Sequence, residues 1–272
     1  MKIKSSSDGT IILFPDYQKL RESVESLREE LTRLYQEMDT LVLIECRRIE
    51  MSYMLQVGGL EYQAYKLECG VLRLKRKMQL IQAKKNRQEK VDPASIEQTL
   101  DHEFAEYQES LNDQLDRMNE ALELSRCREL TDEESAELKK LYRDIVKALH
   151  PDLHPDSSEN RLRLFQSAVD AYENGDLSRI RTIAAMACGP DLSSEKNQGL
   201  SALMNEEERL KTLIQEVNDN TARIKTEYPY IMKELLEDDD ALTARQKELN
   251  DYICGMRETL DLYSARVREM ME

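Results

Sequence analysis

The side chains whose types and spacing could do chemistry lie between Thr131 and Tyr172. Thr131 and Glu134 have the spacing of a capping box, in which hydroxyl and carboxylate satisfy the first free amides of a helix. The helix it opens carries Leu138, Leu141, Ile145 and Leu149 on one face, with Tyr142 beside them. The opposite face is basic: Lys140, Arg143 and Lys147 stand three and four apart, next to Lys139. Pro151 stops the helix at His150 and leaves Asp152 at the head of a proline-punctuated loop, Leu153-His154-Pro155-Asp156. A second helix begins near Ser158, turns Leu162, Phe165, Ala168, Val169 and Tyr172 inward, and ends at Asn174-Gly175 with a glycine cap. A cationic stripe raises encounter rates with an acidic surface, and a single exposed carboxylate suits a bidentate arginine contact. That is the chemistry of protein recognition. The sequence has no glycine-rich phosphate loop, no Gly-x-Ser-x-Gly and no His-Glu-x-x-His, so no enzyme activity is expected. His150 and His154 each precede a proline, share no helical face and have no evident third ligand, so neither a metal nor a cofactor is expected. His102 is expected to be structural.

This combination resembles the J-domain, the module by which DnaJ-type co-chaperones recruit DnaK. The second helix of that family carries a tyrosine followed by a basic residue, then His-Pro-Asp eight positions after the tyrosine; Tyr142, Arg143 and His150-Pro151-Asp152 hold that spacing. The third helix of the family has Phe, often Gln, then Ala-Tyr, matched by Phe165, Gln166, Ala171 and Tyr172. His154-Pro155-Asp156 repeats the tripeptide twelve residues from Tyr142 with no helix running into it, and is read as incidental. The resemblance covers about residues 131–175. The family's first helix with its Tyr-x-x-Leu-Gly, the glycine/phenylalanine-rich linker and the zinc-binding cysteine repeats are missing, so a neighbouring helix, the third coiled-coil helix near Leu122 and Leu124, is expected to supply the packing. The chain is thus similar to divergent bacterial coiled-coil J-proteins. The resemblance implies a DnaK-type chaperone as partner, with Lys139, Lys140, Arg143 and Lys147 docking on an acidic surface of its ATPase domain. It further implies that Asp152 pairs with an arginine while His150 and Pro151 hold the loop shape, and that Leu138, Leu141, Tyr142, Ile145, Leu149, Phe165, Ala168 and Tyr172 form the core.

The elements that must position this motif follow from composition. Among 272 residues, 54 acidic against 39 basic side chains give a net charge of −15. Charged residues reach 34% while aromatics are 6%, with no Trp and only eight Gly and six Pro. So few turn formers exclude an all-β or doubly wound fold and favour long helices with thin apolar seams. The expected class is all-α: long antiparallel coiled-coil helices flanking a small J-like hairpin. Cys46, Cys69, Cys127, Cys188 and Cys254 are scattered and odd in number, which reads as reduced thiols in a cytoplasmic protein. No run approaches the roughly 20 apolar residues of a membrane helix, and Ile11 to Phe14 is too short for a signal-peptide core.

Asp8-Gly9 suggests a short β-hairpin over residues 1–15. Leu20, Val24, Leu27, Leu31, Leu34, Met38 and Leu41 then set a coiled-coil seam over about 17–57. Leu60, Ala64, Leu67, Val71, Leu74, Met78 and Ile81 set a second over 60–90, and Asp92-Pro93 opens a third helix over 94–126 with Ile96, Leu100, Phe104, Tyr107, Leu111, Leu115, Met118 and Leu122. Gly58-Gly59 admits two readings. Unbroken heptad phase supports a continuous helix; charge favours a turn, since folding there sets the basic stretch Arg73 to Lys90 against Glu22, Glu25, Glu29, Glu30 and Glu37. The organisation is completed by a J-like domain over 131–188, a linker over 189–199 and a helical hairpin over 200–272, with seams Leu203, Leu210, Leu213, Val217, Ile224 and Leu242, Leu249, Ile253, Met256, Leu260, Tyr263. The basic stretch lacks interleaved aromatics and belongs to an acidic chain, so nucleic acid is not an expected partner. Two function classes stand: a co-chaperone whose coiled coils bind a client or self-associate, and a non-catalytic scaffold whose J-like segment is degenerate.

Overall fold

A computed structural model describes residues 15–126, 130–187 and 200–272. All regular structure among them is helical. The β-hairpin expected over residues 1–15 falls outside the described residues except for Pro15, which begins a helix, and the linker at 189–199 lies wholly outside them. No helix among the described residues is long and apolar enough to cross a membrane.

The helices are α1 (Pro15–Asp39), α2 (Arg47–Tyr53), α3 (Gly59–Asn86), α4 (Pro93–Glu103), α5 (Ala105–Ser125), α6 (Asp132–Leu149), α7 (Glu159–Glu173), α8 (Leu177–Ala187), α9 (Leu200–Ile224), α10 (Lys233–Glu237) and α11 (Asp239–Met271). Wide π turns at Thr40–Cys46 and Met54–Gly58 carry the helical backbone from α1 into α2 and from α2 into α3. The chain forms two compact units, each assembled from distant stretches: Met1–Glu45 with Glu129–Thr226, and Cys46–Arg128 with Glu227–Glu272.

In the first unit α1 packs beside α9, α6, α7 and α8 pack on one another, and α6 also packs on α1. Their shared core holds Leu31, Tyr142, Ile145, Tyr172, Ile180 and Leu210, all fully buried. The α1 seam therefore faces inward as its spacing requires. Helix α8 was not anticipated; its signal is Leu177, Ile180 and Ile183 at three-residue spacing, all buried.

In the second unit α3 and α11 run in the same direction, since Glu61 meets Arg245 and the leucine of Leu260 reaches Gly70. Helix α4 folds back on α3 after Asp92 caps its amides and Pro93 starts it. Arg73 then bonds Glu97 and Asp101 at 2.6 Å each, Arg76 grips Glu103 through two nitrogens, and Lys77 pairs with Glu97. Exposed and half-exposed pairs of this kind add little stability, so Ile81, Ile96 and Leu100, buried beneath them, hold the two helices together.

Three expectations are corrected. Gly58 (φ −53°, ψ −38°) and Gly59 (φ −64°, ψ −35°) are helical, so residues 17–57 and 60–90 are not an antiparallel pair, and Glu29 bonds Lys147 instead of the basic stretch. The heptad phase, unbroken across the glycines, was the better guide than charge. The third helix breaks at Phe104, and beyond it Leu111, Met118 and Ala121 point inward while Leu115 and Leu122 are exposed; the break rotates the stripe. Where a hairpin was expected over residues 200–272, α9 packs on α1 within the first unit and α11 on α3 within the second.

The helical glycine makes a measurable difference. A Cβ on Gly59 would meet only the Met118 methyl at 3.7 Å, an ordinary contact. Gly59→Ala should raise stability by about 0.5–1 kcal/mol in equilibrium urea unfolding, the usual gain for alanine in a helix; a loss of that size would indicate a turn.

Candidate functional site

The site is built on α6 and α7, which run antiparallel: Tyr142 faces Tyr172 near one end, and His150 faces Phe165 near the other. The capping box forms, with Glu134 N–H donating to Thr131 Oγ1 at 3.2 Å and Thr131 N–H to Glu134 Oε2 at 3.0 Å. Leu138, Tyr142, Ile145 and Leu149 are buried, as are Ala168 and Tyr172, while Leu141 and Phe165 pack partly buried against them. Val146 and Ala171 join this core; Leu162 is exposed.

The two tyrosine rings stack with centroids 3.9 Å apart and planes 9° from parallel. Their hydroxyls are both answered by α1 and the turn after it: Tyr142 donates to Asp39 Oδ2 at 2.7 Å, and Tyr172 shares a 2.9 Å bond with Thr40 Oγ1. Burial pushes the Asp39 carboxyl above its ordinary value against the Tyr142 bond, and burial likewise raises both tyrosines. The α6–α7 pair packs against α1 and α8; the helix expected to serve it, near Leu122 and Leu124, belongs to the other unit.

At the far end of α6 the loop is held from three sides. His150 caps the helix, and its Nδ1 accepts the Asp152 amide at 3.2 Å, which fixes a neutral ring with its proton on Nε2. The ring stacks on Tyr35 of α1, centroids 3.8 Å apart, and meets the Phe165 edge at 5.1 Å. Burial in this aromatic sandwich lowers the His150 pKa to about 4; Asp152 pulls it up and His154 pushes it further down. The Tyr35 hydroxyl donates to the Asp152 carboxylate, and burial with that carboxylate beside it raises the tyrosine. Arg209 of α9 donates through Nη1 to the Asp152 carbonyl at 2.9 Å and is itself fixed by Glu206, whose carboxylate it holds below its ordinary range with help from Arg28. The second tripeptide does separate work: His154 Nε2 bonds the Lys147 carbonyl at 2.9 Å.

Lys139, Lys140, Arg143 and Lys147 are all exposed on α6. Lys147 reaches Glu29 at 3.4 Å, and the Lys139 carbonyl accepts from Gln36 at 2.8 Å, so α1 runs along one flank of the stripe. Lys140 and Arg143 have no ion-pair partner among the described residues. The sequence-predicted residues thus converge, but Tyr35 and Arg209, which hold the loop, were missed: neither stands in a heptad seam, and nothing local links positions 35, 152 and 209. No group of three His, Cys, Asp or Glu side chains among the described residues could hold a metal ion. No family model, curated protein or solved structure matches the chain.

The neutral His150 has a pH consequence. Its folded pKa lies below the ordinary 6.5, so its contribution to stability is complete above pH 6.5 and is lost as pH falls toward 4. Asp39, shifted the other way, is relieved as pH falls and offsets part of this. The direct measurement is therefore an NMR titration of the His150 ring, expected to show a midpoint near 4; a midpoint near 6.5 would mean that the ring is not sandwiched.

Proposed function

We propose that this protein is a J-like co-chaperone, in which α6, α7 and the loop between them recruit a DnaK-type chaperone and stimulate its ATPase, with no catalytic chemistry of its own. One observation carries the reading. Two antiparallel helices welded by Tyr142 and Tyr172 end in His150-Pro151-Asp152, with an exposed cationic stripe on the helix leading into it. Lys140 and Arg143, exposed and without an ion-pair partner among the described residues, supply the long-range attraction for an acidic partner surface. Asp152 supplies the carboxylate for an arginine of that partner. The remaining helices are the part left for a client or a second copy, in the cytoplasm.

A second reading, a scaffold whose J-like segment is degenerate, is favoured by the fact that Asp152 is already engaged by Tyr35 and Arg209. The two readings separate in a steady-state ATPase assay of the purified chaperone with the full chain in excess. On the co-chaperone reading the wild type stimulates turnover, Asp152→Asn lowers that stimulation by about tenfold or more, and Lys140→Glu/Arg143→Glu raises the concentration needed by about tenfold. Equal stimulation by wild type and Asp152→Asn would sink the reading, and a pull-down that keeps its partners after Asp152→Asn would support the scaffold.

A further inference from the structure

We propose that α1 and α9 form an intramolecular clamp on the His150-Pro151-Asp152 loop, so that the motif is held closed in the resting chain and must be released before it can act. The inference rests on the co-chaperone reading, and it is carried by contacts within one compact unit. Tyr35, 5% exposed, covers the face of His150 with its ring and donates a hydrogen bond from its hydroxyl to the Asp152 carboxylate. Arg209 takes the Asp152 backbone carbonyl, and Glu206 ties Arg209 to Arg28, joining α9 to α1 behind the loop. Leu153 is drawn into the core beneath them. On the flank, Glu29 pairs with Lys147 and Gln36 holds the Lys139 carbonyl, so the same helix that engages the carboxylate also occupies one end of the basic stripe.

The arrangement answers the chemistry of the site. A bidentate arginine contact would need both carboxylate oxygens, one of which, Oδ2, Tyr35 now bonds, and Tyr35 leaves only if α1 moves from His150. Lys140 and Arg143 stay exposed meanwhile. A partner could therefore approach the closed chain electrostatically but engage Asp152 only in the opened one. A ligand shifts such an equilibrium only by its preference for one state, so whatever binds α1 or α9 in place of the loop would act as an activator.

The test compares full-length wild type, Tyr35→Phe/Arg209→Gln, and the same double variant carrying Asp152→Asn. Two readouts are used: chaperone ATPase stimulation at fixed chain concentration, and hydrogen exchange of the amides of residues 150–156. Tyr35→Phe keeps the ring on His150 and removes the hydroxyl bond, whereas Arg209→Gln shortens the side chain and removes the guanidinium that bonds the Asp152 carbonyl. The double variant should stimulate about tenfold more than wild type, the triple variant should lose that gain, and loop amides should exchange about tenfold faster while those of α6 and α7 stay protected. Faster exchange throughout α6 and α7 marks loss of the fold; Tyr35→Phe alone, which keeps the ring on His150, then replaces the double variant under the same criteria. Equal stimulation by wild type and double variant, both sensitive to Asp152→Asn, would overturn the clamp and leave the co-chaperone reading intact. Unchanged loop exchange would also overturn the clamp. Faster loop exchange with no stimulation by any variant would overturn the co-chaperone reading, and with it the regulatory role of the clamp.

Discussion

The stack of Tyr142 on Tyr172 is the interaction on which the arrangement of the first unit depends. Two flat rings 3.9 Å apart fix how close α6 and α7 lie. Their hydroxyls, buried and therefore costly to leave without partners, need acceptors or donors from a third element. Asp39 and Thr40 provide them, which anchors the C-terminal end of α1 to the hairpin at one level. Tyr35 sits about one helical turn earlier, roughly 5 Å back along α1, and arrives over His150. The contact between α1 and the loop is thus a geometric consequence of satisfying two buried hydroxyls.

A second constraint is the scarcity of large apolar side chains. With three Phe and no Trp, no helix can be held by a single bulky anchor, and each must bury a long seam. Leu31 and Leu210 in the first unit, and Ile81, Ile96 and Leu100 in the second, are the points of complete or near-complete burial along such seams. Polar pairs line their edges, as Arg73 and Arg76 do with Glu97, Asp101 and Glu103. Pairs of this kind choose partners and register more than they add stability. Helices that are thin in this way pair with whichever seam is long enough. That helps explain why α9 and α11 find α1 and α3, about 180 residues away in sequence.

What could be read from the sequence divides along the same line. The short-range signals were sufficient for most of α6 and α7: the capping box, the proline stop at His150, Gly175 at φ 65° and the inward residues from Leu138 to Tyr172 stand where local rules put them, except Leu162, which is exposed. The long-range ones were not. Charge placed the glutamates of α1 against the basic stretch, whereas heptad phase across Gly58-Gly59 pointed to a continuous helix, and phase prevailed because a seam buries apolar area while exposed charges remain hydrated. Phe104 broke a stripe that periodicity alone ran straight through. Tyr35, Gln36, Asp39 and Arg209 escaped notice because their partners are more than 50 residues distant and no periodic pattern contains them.

The loop shows a division of labour that follows from how electrostatics and hydrogen bonds decay. Attraction between charges reaches about 8–10 Å at physiological salt, so Lys140 and Arg143 can act on an acidic partner before any surface is displaced. A bidentate carboxylate–arginine pair needs contact with both oxygens, and Tyr35 holds one of them. A charge-assisted bond of this kind contributes about 1.5–3 kcal/mol, enough to keep the loop closed most of the time and too little to make it permanent. If the protein is a co-chaperone, encounter and commitment are separate steps, set by different residues on the same short helix and loop. Strengthening the stripe would then change how often a partner arrives, whereas only the contacts of Tyr35 and Arg209 would change what happens once it has.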